Sequence, residues 1–160
     1  MSLSSRTKLA FAALALPACT GPALAALGQG AQSIGHDGRV VGTPQRVALV
    51  QTGANAPSTA VTRQVVQTPR GVVVTEYLDS AGTVFALSWH GPVKPDLQQL
   101  LGAYFADYLA AAGSGGGGLA STQTVGSNVV VRSAGSMQGF VGAAYLPGLM
   151  PAGFTPAQIR

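Results

Sequence analysis

Apolar side chains between residues 95 and 112 recur at the spacing of one face of a helix. They follow the helical i, i+3, i+4, i+7 pattern at Leu97, Leu100, Leu101, Tyr104, Phe105, Tyr108 and Leu109. Pro95 suits a first helical turn, and Asp96 complements the positive end of the helix dipole. The pattern predicts an amphipathic helix from about Pro95 to Ala112, ending at Gly113.

Segments rich in β-branched and aromatic residues flank this helix and are typical of strands. The predicted strands are residues 61–67, 72–78, 83–90, 128–132 and 137–145. The order β-β-β-α-β-β predicts an α+β fold, in which an antiparallel sheet of about five strands packs on one amphipathic helix.

The turn sequence Asp79-Ser80-Ala81-Gly82 determines how the second and third strands pair. Asp in first place and Gly in fourth are typical of a type I turn followed by a glycine bulge. The bulged register separates apolar from polar side chains better than the unbulged one. The predicted pairs are Tyr77 with Phe85, Thr75 with Leu87, and Val73 with Trp89. The predicted apolar face carries Val73, Tyr77, Phe85, Leu87 and Trp89. The predicted polar face carries Glu76, Ser88 and His90.

The first 25 residues have the pattern of an export signal. Arg6 and Lys8 precede an apolar run from Leu9 to Leu16, and Ala23-Leu24-Ala25 is a small-x-small cleavage pattern. The run is shorter than the ~20 residues that span a bilayer, and no later segment is long and apolar enough. We expect a mature chain that begins at Ala26, has no transmembrane helix, and is periplasmic or secreted.

Cys19 is the only cysteine of the chain and gives a second interpretation of this segment. Leu16-Pro17-Ala18-Cys19 is similar to the lipobox of bacterial lipoproteins, in which Cys19 would carry a lipid anchor. Lipid anchoring through Cys19 is therefore the alternative localisation. Either form of processing leaves no cysteine pair, so no disulfide supports the fold.

The segment between the signal and the first predicted strand is rich in Gly, Ala, Gln, Ser, Thr and Pro. Its apolar residues show no sustained period, which is typical of weak order. We expect a signal peptide at 1–25, a weakly ordered N-terminal arm at 26–60, and a single small α+β domain at 61–160. Within the arm, one short strand is predicted near residues 46–50.

The charge distribution argues against nucleic-acid binding. The formal charge of +4 includes Arg6 and Lys8, which leave with the signal, so seven basic and five acidic residues remain. These charges are scattered singly, whereas nucleic-acid binding needs a clustered basic stripe. We expect no nucleic-acid partner.

Candidate catalytic chemistry is sparse. The chain has two histidines, His36 and His90, whereas a zinc site takes three or four side-chain ligands. It has neither the Gly-x-Ser-x-Gly elbow of hydrolases nor the Gly-Lys-Ser/Thr ending of a phosphate loop. We therefore assign no catalytic residue, no metal ligand and no cofactor.

The candidate binding spot is the segment Trp89-His90-Gly91-Pro92, which combines an aromatic ring, an imidazole and a rigid bend. Glu76 shares the predicted polar face with His90 and completes the spot. The alternative is structural: Trp89 would anchor the core, and Glu76 and His90 would be solvated strand residues.

Three stretches together resemble a family of uncharacterised exported bacterial proteins, domain of unknown function 2844. They are residues 71–92 (GVVVTEYLDSAGTVFALSWHGP), 95–105 (PDLQQLLGAYF) and 144–153 (AYLPGLMPAG). The resemblance implies a Gram-negative source and an envelope or secreted location. It implies no activity, cofactor or catalytic residue.

Two functions remain open at this point. The first is a non-enzymatic envelope module that binds an unknown envelope protein or small ligand. The second is an envelope hydrolase that uses His90 with a nearby carboxylate or hydroxyl. The missing catalytic clusters favour the first. A concave pocket that holds His90 beside a carboxylate or hydroxyl would favour the second.

Overall fold

The computed structural model describes residues 27–31, 38–47, 49, 60–113 and 121–160. The predicted signal and the whole glycine-rich stretch that follows Gly113 lie outside these residues. The strands are β1 (Arg39–Val40), β2 (Gln45–Val47), β3 (Val61–Gln67), β4 (Val73–Leu78), β5 (Val84–Gly91), β6 (Ser121–Val125), β7 (Val130–Ser136) and β8 (Gly139–Tyr145). The helices are α1 (Leu97–Leu101) and α2 (Phe105–Ala112), and 3-10 turns lie at Gly102–Tyr104, Pro147–Leu149 and Pro156–Gln158.

The strands form one antiparallel sheet in the order β1-β3-β4-β5-β8-β7-β6, with β2 pairing to β3 beside β1. The α+β class is confirmed, but the sheet has eight strands rather than about five. The unpredicted strands β1 and β6, and the short β2, lie at the two edges of the sheet. Edge strands bury little side-chain area, so their sequences lack the apolar alternation that reveals a strand.

Parts of the predicted N-terminal arm pack on the domain. Leu27 is fully buried, and its N–H donates to the Leu100 carbonyl oxygen at 3.1 Å. Gly30 pairs with Thr83 at the start of β5. Two strands, β1 and β2, also lie within the arm, and the second overlaps the strand predicted near residues 46–50.

The predicted helix forms and covers one face of the sheet, which we call the helix face. Its start is capped by Asp96, whose Oδ1 accepts from the Gln99 N–H at 3.1 Å. Gly102, with a φ of 51°, interrupts it with a 3-10 turn, and the helix ends at Gly113. The buried cluster on this face comprises Leu27, Val72, Val74, Leu87, Trp89, Leu97, Leu100, Leu101, Val129, Val131, Ala144 and Leu146. The sequence predicts that the helix stripe packs on the face of Phe85, Leu87 and Trp89. This is confirmed for Leu87 and Trp89 and wrong for Phe85, which lies in the cluster of the opposite face.

Residues 147–160, the C-terminal segment, cover part of the opposite face, which we call the tail face. Phe154 of this segment packs edge-on against Phe85, with ring centres 5.0 Å apart, and lies 5.5 Å from the Tyr77 ring. The buried residues of this second cluster are Val61, Tyr77, Phe85, Ala86, Val130, Tyr145 and Phe154. Both faces of the sheet thus have a core, although only one is covered by a helix.

The pairing of β4 with β5 begins as predicted. Gly82 has a φ of 80° and its N–H donates to the Asp79 carbonyl oxygen at 3.1 Å, so the expected turn forms. Leu78 then pairs with Val84, which is the predicted register.

A second bulge beyond the turn makes the rest of the predicted register wrong. The pairing shifts between Tyr77 and Leu78, and Phe85 is left as the extra residue. The observed pairs are Tyr77 with Ala86, Glu76 with Leu87, Thr75 with Ser88, Val74 with Trp89, and Val73 with His90. Since side chains alternate along a strand, one extra residue exchanges the two faces. Tyr77, Phe85 and Val73 therefore leave the predicted apolar face, and Glu76 joins the helix face.

Candidate functional site

The three residues of the predicted binding spot do not lie together. Trp89 and His90 are neighbours on β5, so their side chains point to opposite faces of the sheet. Trp89 is buried on the helix face, whereas His90 is exposed on the tail face. Glu76 is on the helix face, paired with Leu87 and only 1 % exposed. The sheet thus separates His90 from both of the other residues.

Trp89 has the position of a core anchor. Its side chain is 2 % exposed and belongs to the cluster beneath the helix. It pairs with Gly142 on β8, where an added Cβ would lie 2.2 Å from the Trp89 Cζ2 atom. The indole can approach the β8 backbone this closely only because residue 142 is glycine.

Glu76 is a buried polar residue rather than the solvated strand residue of the alternative interpretation. It pairs across β3 and β4 with Gln64, which is also buried. An ionised carboxylate that leaves water loses several kcal/mol of hydration free energy unless polar neighbours replace the water. Glu76 therefore belongs to the interior of the helix face and cannot contact a ligand on the tail face.

The uncovered part of the tail face forms a groove with a volume of about 380 Å³. Its floor is built from side chains of β5, β8 and β7, and one wall is the C-terminal segment. The tail-face side chains on the floor are Ser88, His90, Val141, Ala143, Arg132 and Ala134. The wall residues are Pro156, Ile159 and Arg160.

The strand register explains why the groove lies at this position. Three rows of paired residues cross β5, β8 and β7 on the tail face. They are Ala86–Tyr145–Val130, Ser88–Ala143–Arg132 and His90–Val141–Ala134. The first row is buried beneath the C-terminal segment, whereas in the last two rows His90, Arg132 and Val141 are exposed. Because residues 134 and 143 are alanines, their side chains rise little above the sheet, and a depression forms over the two uncovered rows.

The wall of the groove is fastened to the sheet through the backbone of Arg160. The Tyr77 hydroxyl donates to the Arg160 carbonyl oxygen at 3.0 Å and accepts from the Arg160 N–H at 2.9 Å. The Ser88 hydroxyl donates to the same carbonyl oxygen at 2.8 Å. Because Tyr77 and Ser88 are themselves buried, these bonds fix the position of the wall.

The groove carries positive charge and no acidic side chain. Arg132 and Arg160 contribute guanidinium groups and His90 an imidazole, and none of the groove residues is Asp or Glu. In the described part of the chain, the acids lie elsewhere: Glu76 in the helix-face core, Asp79 in the β4–β5 turn, Asp96 at the helix cap, and Asp107 on α2. Backbone N–H groups of Asn128 and Ser127 donate to Asp107 and hold the pKa of its carboxyl below the ordinary value.

The geometry around His90 does not form a nucleophile and base pair. Among the described residues, no Asp or Glu side chain shares the groove with His90. Ser88 is on the same face, but its hydroxyl donates to the Arg160 carbonyl oxygen. Within the same described ranges, no group of three or more His, Cys, Asp or Glu residues is placed to hold a metal ion. The arrangement is suited to holding a ligand.

Sequence reasoning found His90 but missed Arg132, Ala143 and the wall residue Arg160. The alternation of side chains along residues 130–134 and 139–145 weakly indicates the floor of the groove, because it places Arg132, Val141 and Ala143 on one face of the sheet. The wall has no such signal, since its position depends on contacts with distant strands.

No helix in the described ranges is both long enough and apolar enough to cross a membrane.

Comparison with known proteins gives one match. No curated protein and no solved structure matches the chain. The family described as "Protein of unknown function (DUF2844)" matches residues 23–159 and thus spans most of the chain, including both faces of the sheet and every groove residue except Arg160. This confirms the family resemblance seen in residues 71–92, 95–105 and 144–153: the chain belongs to the DUF2844 family.

Proposed function

We propose that this protein is an exported, non-enzymatic binding module and that the groove on the tail face is its ligand site. The proposal rests on one observation. Two rows of tail-face residues, Ser88–Ala143–Arg132 and His90–Val141–Ala134, are not covered by the C-terminal segment, and the end of that segment is hydrogen-bonded to the sheet beside them. The depression beside this wall has a volume of about 380 Å³ and is lined by the cationic side chains of Arg132 and Arg160. Ligand sites are commonly concave, largely preformed, and about 300–1,000 Å³ in volume.

Export rests on the pattern of the first 25 residues. A cut after Ala25 would make Leu27 the second residue of the mature chain, and Leu27 is fully buried with its N–H bonded to Leu100. The cut would therefore remove the signal without removing any described part of the domain. Acylation of Cys19 is the alternative processing and would leave the groove unchanged.

Binding rather than hydrolysis is favoured by the side chains at the groove. The floor strands lie inside the sheet, where pairing on both sides holds them, so the floor is preorganised for a ligand. Arg132 and His90 present hydrogen-bond donors, and the Ser88 hydroxyl is already engaged in holding the wall. No group is placed to activate a nucleophile within the described residues of the groove.

The binding proposal is tested with a variant that fills the groove. Ala143 lies between Ser88 and Arg132, so Ala143→Trp places an indole across the floor. Leu109→Trp is the matched control, because Leu109 is exposed on the opposite side of the sheet. Each purified protein is incubated with native envelope extract and re-isolated, and its retained small molecules are identified by mass spectrometry. We expect retention by the parent and Leu109→Trp and loss in Ala143→Trp. Equal retention by all three would contradict the proposal.

Export is tested separately by N-terminal sequencing of the protein recovered from cells. A start at Ala26 supports the proposed processing, and an acylated start at Cys19 supports the lipoprotein alternative. An intact Met1 in the cytosolic fraction would contradict both.

A further inference from the structure

We infer that the groove recognises an oxyanion, a carboxylate or phosphate group carried by a small organic ligand, and that Arg132 is its principal contact. This inference rests on the proposed function and specifies the ligand class. Three features carry it: a guanidinium that no described acid neutralises, a second guanidinium on a fastened wall, and a compact apolar floor between them.

The Arg132 guanidinium lies near an aromatic face and retains its hydrogen-bonding capacity. Its guanidinium carbon lies 6.0 Å from the centre of the Tyr145 ring, and that ring is buried. A cation above an aromatic face is oriented by it, while its N–H groups in the guanidinium plane remain available. Within the described ranges, no ion pair and no side-chain hydrogen bond engages Arg132. A planar guanidinium in this state matches the two oxygens of a carboxylate or phosphate.

The groove offers an anion further cationic side chains, and its described lining has no Asp or Glu. The backbone of Arg160 is part of the wall, where the hydroxyl groups of Tyr77 and Ser88 hydrogen-bond to it. His90 lies on the floor two strands from Arg132, which corresponds to about 10 Å across the sheet. Asp79 is in the turn at the other end of β5 from His90, and Glu76 is on the opposite face. Oxyanions are therefore attracted over the floor, and cations are repelled.

The floor between the charges favours an organic anion over a bare ion. Ala134, Val141 and Ala143 form a low apolar strip, and Val141 is 53 % exposed. An exposed apolar strip next to a cation matches a ligand with a compact carbon body and one anionic end. Both a free sugar acid or sugar phosphate and the headgroup of an anionic lipid meet this description.

The test uses NMR titrations of the isotopically labelled mature chain. The probes are inorganic phosphate and glucuronate, with glucose as the uncharged probe and sodium chloride at matched ionic strength. We expect saturable shifts with both anions at the Arg132 side-chain N–H and at the amides of residues 132–134 and 141–143. We expect no saturable shift with glucose or chloride. Shifts that do not saturate, or that are the same with chloride, would overturn the inference.

Two variants assign the binding to Arg132. Arg132→Gln should weaken binding of the anions about tenfold or more, since one charge-assisted hydrogen bond is worth at least that factor. Arg63→Gln is the matched control, because Arg63 also lies on the tail face but donates to the Gln45 side chain outside the groove. It should bind as the parent does. Equal affinities of the two variants would overturn the inference.

Vesicles distinguish the source of the anion. Binding to phosphatidylcholine vesicles that contain phosphatidylglycerol, lost in Arg132→Gln, would support a lipid headgroup. Binding of glucuronate without vesicle binding would support a free ligand.

The result that would overturn this inference differs from the result that would overturn the proposed function. If no anion binds but Ala143→Trp still loses a ligand from envelope extract, the site stands and its ligand is not an anion. If Ala143→Trp loses nothing, both fail.

Discussion

The two faces of the sheet are covered in different ways. On the helix face, α1 buries Leu97, Leu100 and Leu101 in the cluster that contains Leu87 and Trp89, and the half-buried rings of α2 pack against that cluster. On the tail face, the C-terminal segment buries Phe154 on the row of Tyr77, Ala86, Tyr145 and Val130, and stops beside the next row. The helical segment covers its face with the buried leucines of α1 and the half-buried rings of residues 104, 105 and 108, whereas the irregular segment covers only the positions it contacts. The groove is the part of the sheet that the segment leaves open.

The forces that hold the two coverings also differ. The helix is held by burial of large apolar side chains, which scales with the area removed from water. The end of the C-terminal segment is held by hydrogen bonds from Tyr77 and Ser88 to one backbone position. Each such bond contributes only about 0.5–1.5 kcal/mol to stability. Mutations on the helix face should therefore destabilise the whole domain, and mutations under the segment end should loosen it locally.

The largest expected effect is that of Leu101→Ala. Leu101 is fully buried between the helix and the sheet, and truncations of this kind cost about 2–5 kcal/mol in packed cores. Gln98→Ala on the exposed side of the same helix should cost less than about 0.5 kcal/mol. Urea denaturation of both variants against the parent measures the two losses. Equally small losses would mean that burial does not hold the helix face, and the contrast between the faces would disappear.

The same contrast explains which parts of the fold the sequence could predict. The helix follows from a stripe of seven apolar positions, and the Asp79–Gly82 turn follows from two residues whose backbone preferences are local. The bulge at Phe85 has no local cause, because Phe85 and Tyr77 meet on the tail face beneath Phe154, far along the chain. Because the sequence does not reveal that Phe85 is an extra residue in the pairing, the predicted faces of Glu76 and Tyr77 are exchanged. His90 kept its predicted exposure, but its neighbours in the site could not be predicted without the register and the wall.

A smaller effect is expected from Tyr77→Phe, which removes the hydroxyl and keeps the ring. The ring would still pack against Phe154, while the Arg160 N–H would lose its described acceptor. We expect a loss of about 1 kcal/mol in the free energy of unfolding and faster hydrogen exchange of the Arg160 amide. Tyr108→Phe is the control, since the half-buried Tyr108 ring packs against the helix-face core. Unchanged Arg160 exchange in Tyr77→Phe would mean that the hydroxyl does not fasten the wall.

The smallest effect belongs to Asp107, which links the helix to the turn between β6 and β7. Its carboxylate accepts from the Asn128 N–H at 2.7 Å and the Ser127 N–H at 3.0 Å, and these bonds lower its pKa. A group whose pKa is lowered by folding contributes stability above its unfolded pKa, about 3.9. That contribution is lost as the pH falls from there through the lower pKa of the folded state.

The prediction for Asp107 is therefore a difference that depends on pH. Asp107→Asn can accept only through its single amide oxygen, and its NH₂ group would face a backbone donor. The melting temperature of the variant should lie slightly below that of the parent at pH 7, where the parent carboxylate is ionised. The two melting temperatures should converge as the pH is lowered below about 4. High salt should reduce the difference at pH 7, because Asp107 is partly exposed and its charge is screened. A difference at pH 3 as large as that at pH 7 would show that the helix is joined to the turn through packing alone.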